Sequence, residues 1–269
     1  MKKQTRIVMA CLFACTVAAV SCKKDQQADQ APANDGISTA VLEKIKAQGF
    51  RTDNVQKVGD AYLVENDILL HEHDLDANIT SPTLRIAGEE QYRTRNLVTY
   101  SGTRTIRVRA VGLNATLTSA VQAAVTRWQN ENLALQFVYV TTAPYDITVQ
   151  GNFWSNGILG QGGFPSGGNP YPTILINTNT AVFGTNVGFA TKVLQHEIGH
   201  CIGLRHTDYM NRAYSCGGSA VNEGDGGVGA IQIPGTPSGP DAGSIMLACT
   251  GANSASFNAN DRIAINYLY

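Results

Sequence analysis

The chain has 269 residues and a formal net charge of −1, long enough to bury a hydrophobic core unaided. Hydrophobic residues make up 43% and charged ones 15%, against about 25% charged in an average soluble domain, and 27 glycines point to a loop-rich exported protein. The balance of 20 basic and 21 acidic residues excludes nucleic acid as an electrostatic partner, the apolar share excludes a mainly disordered chain, and no stretch reaches the ~20 apolar residues of a membrane span.

The chain opens on Lys2, Lys3 and Arg6, followed by 14 almost wholly apolar residues, 7–20. That is the length of a signal-peptide core. It runs into Ala19-Val20-Ser21-Cys22, a sequence that resembles a bacterial lipoprotein cleavage box in which Cys22 carries lipid. Residues 1–22 are therefore expected to direct export to a membrane-anchored or secreted location, with a bacterial membrane as partner through the lipid. Residues 23–36 are polar and read as a flexible tether. Ser38 caps an expected short helix with Val41, Leu42 and Ile45 on one face. Residues 61–65 and 67–70 read as extended. A boundary is placed at residue 102, with residues 37–102 as a small N-terminal, pro-like segment and 103–269 as the main domain.

Beyond that boundary the pattern becomes regular. Residues 104–111 alternate with period two, as a half-buried strand does. Leu117, Val121, Ala124, Val125 and Trp128 fall at helical spacing. Residues 133–141, 146–150 and 173–177 read as strands, with a glycine-rich loop over 157–168. Residues 186–203 read as a helix that Gly203 stops, 211–243 as long loops, and 258–268 as a final helix with Asn258 as cap. A helix between the first two strands predicts a right-handed parallel crossover. The expected class is α/β (α+β), a twisted mixed sheet with helices packed on it.

The informative stretch is His196-Glu197-Ile198-Gly199-His200-Cys201-Ile202-Gly203-Leu204-Arg205-His206. Histidines at i and i+4 share one helical face, about 6 Å apart along the axis, so both rings can reach one metal. Gly203 lets the chain leave the helix, and His206 then swings back as third ligand. Three neutral nitrogens with an open fourth position describe a catalytic zinc site. Zinc acidifies a water to a pKa near ~7, and Glu197, beside the open position, is placed to take its proton. Chance co-occurrence of these five fixed residues is on the order of 10⁻⁵ per chain of such composition. Weaker candidates are Asp208, which either hydrogen-bonds a ligand histidine or fixes the loop after it, against a plain loop salt bridge with Arg205 or Arg212, and the run His71-Glu72-His73, which reads as a solvated surface. Glu223 and Asp225 offer weak support for calcium in a loop that is otherwise plainly flexible. Gly162-Gly163-Phe164 offers either an edge for an extended peptide or an ordinary loop.

His-Glu-x-x-His-x-x-Gly-x-x-His is the metzincin zinc signature. The string around it, with Arg205-His206-Thr207-Asp208 and Ser215-Cys216-Gly217-Gly218, resembles the dual-action HEIGH metallopeptidases of bacteria. The resemblance implies a metzincin-like fold with an active-site helix, one catalytic zinc, polypeptide substrates and a monomer. It also implies a Met-turn at Ser244-Ile245-Met246, with Met246 as an apolar floor under the metal. Astacin-like and serralysin-like metzincins carry a zinc-reaching tyrosine two residues after that methionine; here the position is Ala248, so that assistance does not carry over.

Of the cysteines left after export, Cys201 falls in the zinc helix and reads as a small buried residue. Cys216–Cys249 is the favoured disulfide, because it pins the Met-turn to the stretch after the third ligand, with Cys201–Cys216 as alternative. The acids Glu65 and Asp67 lie in the extended part of the N-terminal segment. Such a segment can lie along the cleft like a substrate and offer a carboxylate to the metal, as in latent astacin-like relatives. Asp67 is preferred as blocker and Glu65 is second; the competing reading is a plain lead-in strand. Cleavage among Arg85, Arg93 and Arg95 would release the block. The expected function is thus that of a zinc endopeptidase, against a zinc hydrolase of small amides or a non-enzymatic zinc-binding lipoprotein.

Overall fold

The structure is a computed structural model that describes residues 36–269 apart from 49, 51, 53, 66, 73–74, 76–90, 221, 224–228, 238 and 252–254. The signal segment with Cys22, the tether, Arg85 and Asp225 lie outside the described residues. Everything described belongs to one unit, Pro32–Tyr269. Among the described residues no helix is long and apolar enough to cross a membrane.

The first elements are helix α1 (Thr39–Ala47), capped by Ser38 through Val41 N–H, and strands β1 (Gln56–Val58), β2 (Ala61–Val64) and β3 (Ile68–His71). The three strands form an antiparallel sheet in sequence order. Strand β4 (Tyr92–Arg93) follows, then β5 (Arg104–Val111), α2 (Ala115–Gln129), β6 (Leu135–Tyr139), β7 (Ile147–Asn152), β8 (Gly160–Gln161) and β9 (Thr173–Asn177). The chain continues through α3 (Thr180–Phe183), α4 (Val187–Ile202), α5 (Ala213–Cys216) and β10 (Ile231–Gln232) to α6 (Ala259–Leu268).

The main sheet runs β6-β5-β7-β9-β8. Its first four strands are parallel and β8 is antiparallel, so the α/β expectation holds. The alternation read in residues 104–111 appears as Ile106 and Val108 buried between half-exposed arginines. Helix α2 is the crossover between β5 and β6; it and α4 pack side by side, α2 over β5 and β6, α4 over β8 and β9. Trp128 locks the two helices together: its ring meets Phe257 edge-on and its Nε1–H donates to Gln195 O at 3.1 Å. Burying each such large side chain contributes roughly 1.5–3 kcal/mol.

Two departures from the sequence reading matter for the site. The glycine-rich stretch 157–168 contains β8, an edge strand. A division at residue 102 also does not follow the packing: β4 pairs with β10, Gln91 hydrogen-bonds Ser244 and Asp261, and Thr94 N–H donates to Gly203 O at 2.8 Å. Residues 91–101 are tied to the elements that carry the zinc signature. The N-terminal apolar cluster instead gathers Ile45, Phe50, Val55, Tyr62, Val64, Ile68, Leu70 and Leu75 around Phe164, which follows β8.

Candidate metal centre

Helix α4 builds the first half of the site. Asn186 caps it through Phe189 N–H, and Gly203 ends it at φ 111°, a left-handed conformation that side chains resist. A Cβ at Gly203 would also lie 2.7 Å from Leu97 Cδ2. The chain reverses there, and His206 returns to face His196 and His200 with ring centroids 5.3 and 4.9 Å away.

Each imidazole is held through Nδ1. His196 Nδ1 meets Ile245 O and His200 Nδ1 meets Leu204 O, both at 2.8 Å. A carbonyl oxygen only accepts, so both Nδ1 atoms carry the proton and both Nε2 atoms present lone pairs. His200 Nε2 lies 3.3 Å from His206 Nε2. Ligand atoms of His196, His200, His206 and Asp67 all fall within 4.8 Å of one another. Three converging nitrogens and a carboxylate oxygen, all buried, are a donor set suited to zinc. Burial drives the His196 pKa down to about 4 and that of His200 well below its usual value, with the charge on His206 adding to both shifts. The two rings are therefore neutral and ready to ligate. For His206 burial pulls the same way, but Asp67 and Glu223 outweigh it and raise the pKa.

Glu197 is 2% exposed, and its Oε2 has no hydrogen-bond partner among the described residues. It lies against Gly160 and Gly162, where a Cβ would come within 2.8 and 3.1 Å of its carboxylate oxygens. Burial, and then the charge of Asp67, hold this carboxyl well above the usual range. A carboxylate so placed is a strong proton acceptor.

Met246 is fully buried beneath α4: a Cβ at Gly199 would sit 2.6 Å from its Sδ. Its carbonyl accepts Thr207 N–H at 2.8 Å. Of the roles open to Asp208, the contacts match that of fixing the loop: Oδ1 accepts Ala248 N–H at 2.9 Å and Oδ2 accepts Ser215 Oγ–H at 2.5 Å. It ties the turn after Met246 to the stretch after the third ligand. Cys216 and Cys249 make the same tie covalently, and Cys201 is buried and free.

The N-terminal segment enters this site. Asp67 Oδ2 lies 2.9 Å from His206 Nε2. Gly162 N–H donates to Asp67 O at 2.9 Å and Leu69 N–H to Gly162 O at 2.8 Å, a single parallel bridge between Ile68 and Gly162, the residue after β8. Glu65 faces Arg205, Oε2 to Nη2 3.9 Å, with both partners buried. Burial, then Glu223, raise the Glu65 pKa well above its usual value. His71 meets Tyr171 and Asp60, and Glu72 meets Lys57 and Tyr62, so that run makes no metal clip; residue 73 lies outside the described residues.

Glu223 is the residue whose part the sequence hid. Considered there only for calcium, it is fully buried against His206 Nδ1, 3.1 and 3.2 Å from its two oxygens, with Arg212 Nη1 donating at 3.0 Å. It stands in a loop without periodicity, 17 residues from His206. Its single signal was that it is one of two acids, with Asp225, among glycines.

The family model described as dual-action HEIGH metallo-peptidase matches residues 64–269. Two solved structures of myroilysin are similar to the chain. One shares 16% identity over 64% of this chain and 82% of that one; the other shares 18% over 65% and 86%; both have a TM-score of 0.42. A search among curated proteins finds no match. The chain belongs to the dual-action HEIGH metallopeptidases and is a metallopeptidase, whose substrates are polypeptides and whose metal is zinc.

Proposed function

We propose that this metallopeptidase is a zinc endopeptidase in which Glu197 is the general base, and that its N-terminal segment keeps it latent. The observation that carries the first part is the convergence of two proton-free Nε2 atoms and His206 beside a buried carboxylate whose Oε2 has no hydrogen-bond partner among the described residues. His196, His200 and His206 would hold the ion. Zinc, when bound, supplies Lewis acidity that polarises a scissile carbonyl and acidifies water. Glu197 accepts the proton of the attacking water and hands it to the leaving amine. The slot against Gly160 and Gly162 keeps its carboxylate in place without hydrogen bonds that would lower its basicity.

Endopeptidase action is supported by the path of residues 67–69. They cross the site in mid-chain, bridged to Gly162 just past β8, with residues on both sides. A polypeptide substrate cut internally must do the same. Latency is supported by Asp67, whose carboxylate completes the cluster of ligand atoms. Glu65 lies against Arg205, so it contributes to docking, and Asp67 is the blocking residue.

The decisive experiment is Glu197→Gln in the chain freed of its N-terminal segment. Zinc content stays at wild-type level while casein and peptide hydrolysis falls by several orders of magnitude. His200→Ala loses zinc as well. Hydrolysis by Glu197→Gln at near wild-type rate would sink the mechanism.

A further inference from the structure

The three ligand histidines are not held alike. His196 and His200 stand on α4, whose backbone fixes them, and each Nδ1–H donates to a neutral carbonyl. His206 stands beyond Gly203, outside any helix, and its Nδ1 meets both oxygens of Glu223 at 3.1 and 3.2 Å. A loop residue whose ring torsions no helix restrains needs a side-chain contact to aim it, and a charged acceptor makes a stronger and more directional one than a carbonyl.

From this geometry we infer that Glu223 is the positioning residue of the zinc site: it fixes the proton of His206 on Nδ1, aims Nε2 at the metal, and makes that ring the most strongly donating ligand of the three. The inference rests on the zinc peptidase reading of the site. Glu223 is itself rigidly set. Its N–H donates to Tyr209 O at 2.7 Å, Arg212 Nη1 donates to Oε1 at 3.0 Å, and Arg205 Nη2 lies 3.8 Å from Oε2. An isolated carboxylate this deeply buried would be costly. The His206 ring, the Arg212 guanidinium and Arg205 stand against it and offset that cost. Imidazole backed by a carboxylate binds metal more tightly, and removing such a partner weakens metal affinity by about 10- to 100-fold.

The arrangement also links the metal site to the N-terminal segment. Arg205 serves both Glu223 and Glu65, and His206 serves both Glu223 and Asp67. Glu223 keeps its hold on Nδ1 whichever group meets Nε2, so the ring stays aimed when the segment leaves.

The test uses the full-length chain carrying Asp67→Ala, so that Asp67 does not compete at Nε2. Zinc affinity is measured by competition with a chromophoric chelator, alone and with Glu223→Gln, an isosteric change that removes charge with little loss of shape. The expected result is a zinc Kd about 10- to 100-fold higher with Glu223→Gln, and an altered visible spectrum of the cobalt-substituted protein. Arg212→Met, which frees the carboxylate from its cation, should weaken zinc in the Glu223 chain and cost nothing further once Glu223→Gln is present. An unchanged zinc Kd with Glu223→Gln overturns the inference, even where the unfolding midpoint of the metal-free chain drops, since that pattern is a purely structural role. A chain that takes up no zinc with Asp67 removed overturns the peptidase reading first. The two failures are thus told apart by the Asp67→Ala parent.

Discussion

Asp67→Ala in the full-length chain is the sharpest probe of latency. The substitution removes the carboxylate 2.9 Å from His206 Nε2 and leaves the main chain that holds the segment untouched. In the zinc-loaded protein the carboxylate would meet the ion in place of the ring N–H; counted as a contact to a charged partner, it contributes about 1.5–3 kcal/mol net. At roughly 1.4 kcal/mol per tenfold, the loss shifts the balance between docked and open segment by about 10- to 150-fold. The increase stays short of full activity. Two backbone hydrogen bonds to Gly162, the Glu65–Arg205 contact and the apolar cluster around Phe164 survive the change. Hydrolysis of a quenched fluorescent peptide by zinc-loaded protein should therefore rank the full chain lowest, Asp67→Ala above it, and a chain beginning at Gln91 highest. The start at Gln91 matters because β4 belongs with the catalytic elements, so activating cleavage should fall at Arg85 and spare Arg93, which stands in β4. Equal rates for all three proteins would refute the block; a full rise from Asp67→Ala alone would refute the shared holding.

Three further outcomes are expected. Replacing Cys216 and Cys249 by alanine opens a 33-residue separation and should lower stability by roughly 3–4 kcal/mol, read from urea unfolding as a lower midpoint with a steeper slope, because the freed chain unfolds to a more open state. In the metal-free chain stability should fall from pH ~6.5 upward, where His206, Glu65 and Glu197 all keep their protons longer when folded. Below that, His196 and His200 take up protons first in the unfolded chain while Glu65 and Glu197 take them up first in the folded one, so the two effects oppose each other and the slope is shallow. A thermal midpoint that climbs steadily from pH 6 to 9 would contradict this, and Asp67→Ala should flatten the alkaline limb. Finally, mass spectrometry of the protein from its membrane fraction should find a diacylglyceryl group on Cys22; an unmodified start elsewhere would remove the lipid-anchor reading.

What the sequence disclosed and what it concealed divide along one physical line, the range of the interaction. The zinc helix, its cap at Asn186 and its stop at Gly203 are local: periodicity and one left-handed glycine mark them. The alternation of β5 and the Asn258–Asp261 capping box of α6 are legible for the same reason. Asp67 was singled out as a short acid followed by apolar residues and by likeness to latent relatives; its place beside His206 accords with that reading, and latency itself is what Asp67→Ala tests. Strand β8 was not legible, since two residues beside glycines show no alternation and acquire strand geometry only by pairing with β9. β4 was hidden likewise, its partner β10 standing far along the chain. For Asp208 the sequence left several roles open, because its partners, a backbone N–H and a hydroxyl, carry no charge that would mark them in advance.

The same long-range contacts explain why the metal centre needs so much of the chain. The turn at residues 244–246 supplies the carbonyl that fixes His196 and the thioether under α4, yet it has no regular structure of its own. It is held from both ends. Asp261, in the first turn of α6, accepts Ser244 Oγ–H at 2.6 Å and Ile245 N–H at 3.0 Å while closing the helix cap. Asp208 takes Ala248 N–H, and the Cys216–Cys249 bridge takes the far side. A buried carboxylate bonded by several donors is costly to disturb, because every donor loses its partner together. The C-terminal helix, distant in sequence from the histidines, thereby sets the height of Ile245 O and the orientation of His196. His206 depends in the same way on the loop that carries Glu223, and His200 alone finds its second contact, Leu204 O, within the signature itself. Eleven residues are enough to name the metal, but aiming two of its three ligands takes the loop of Glu223 and the first turn of α6.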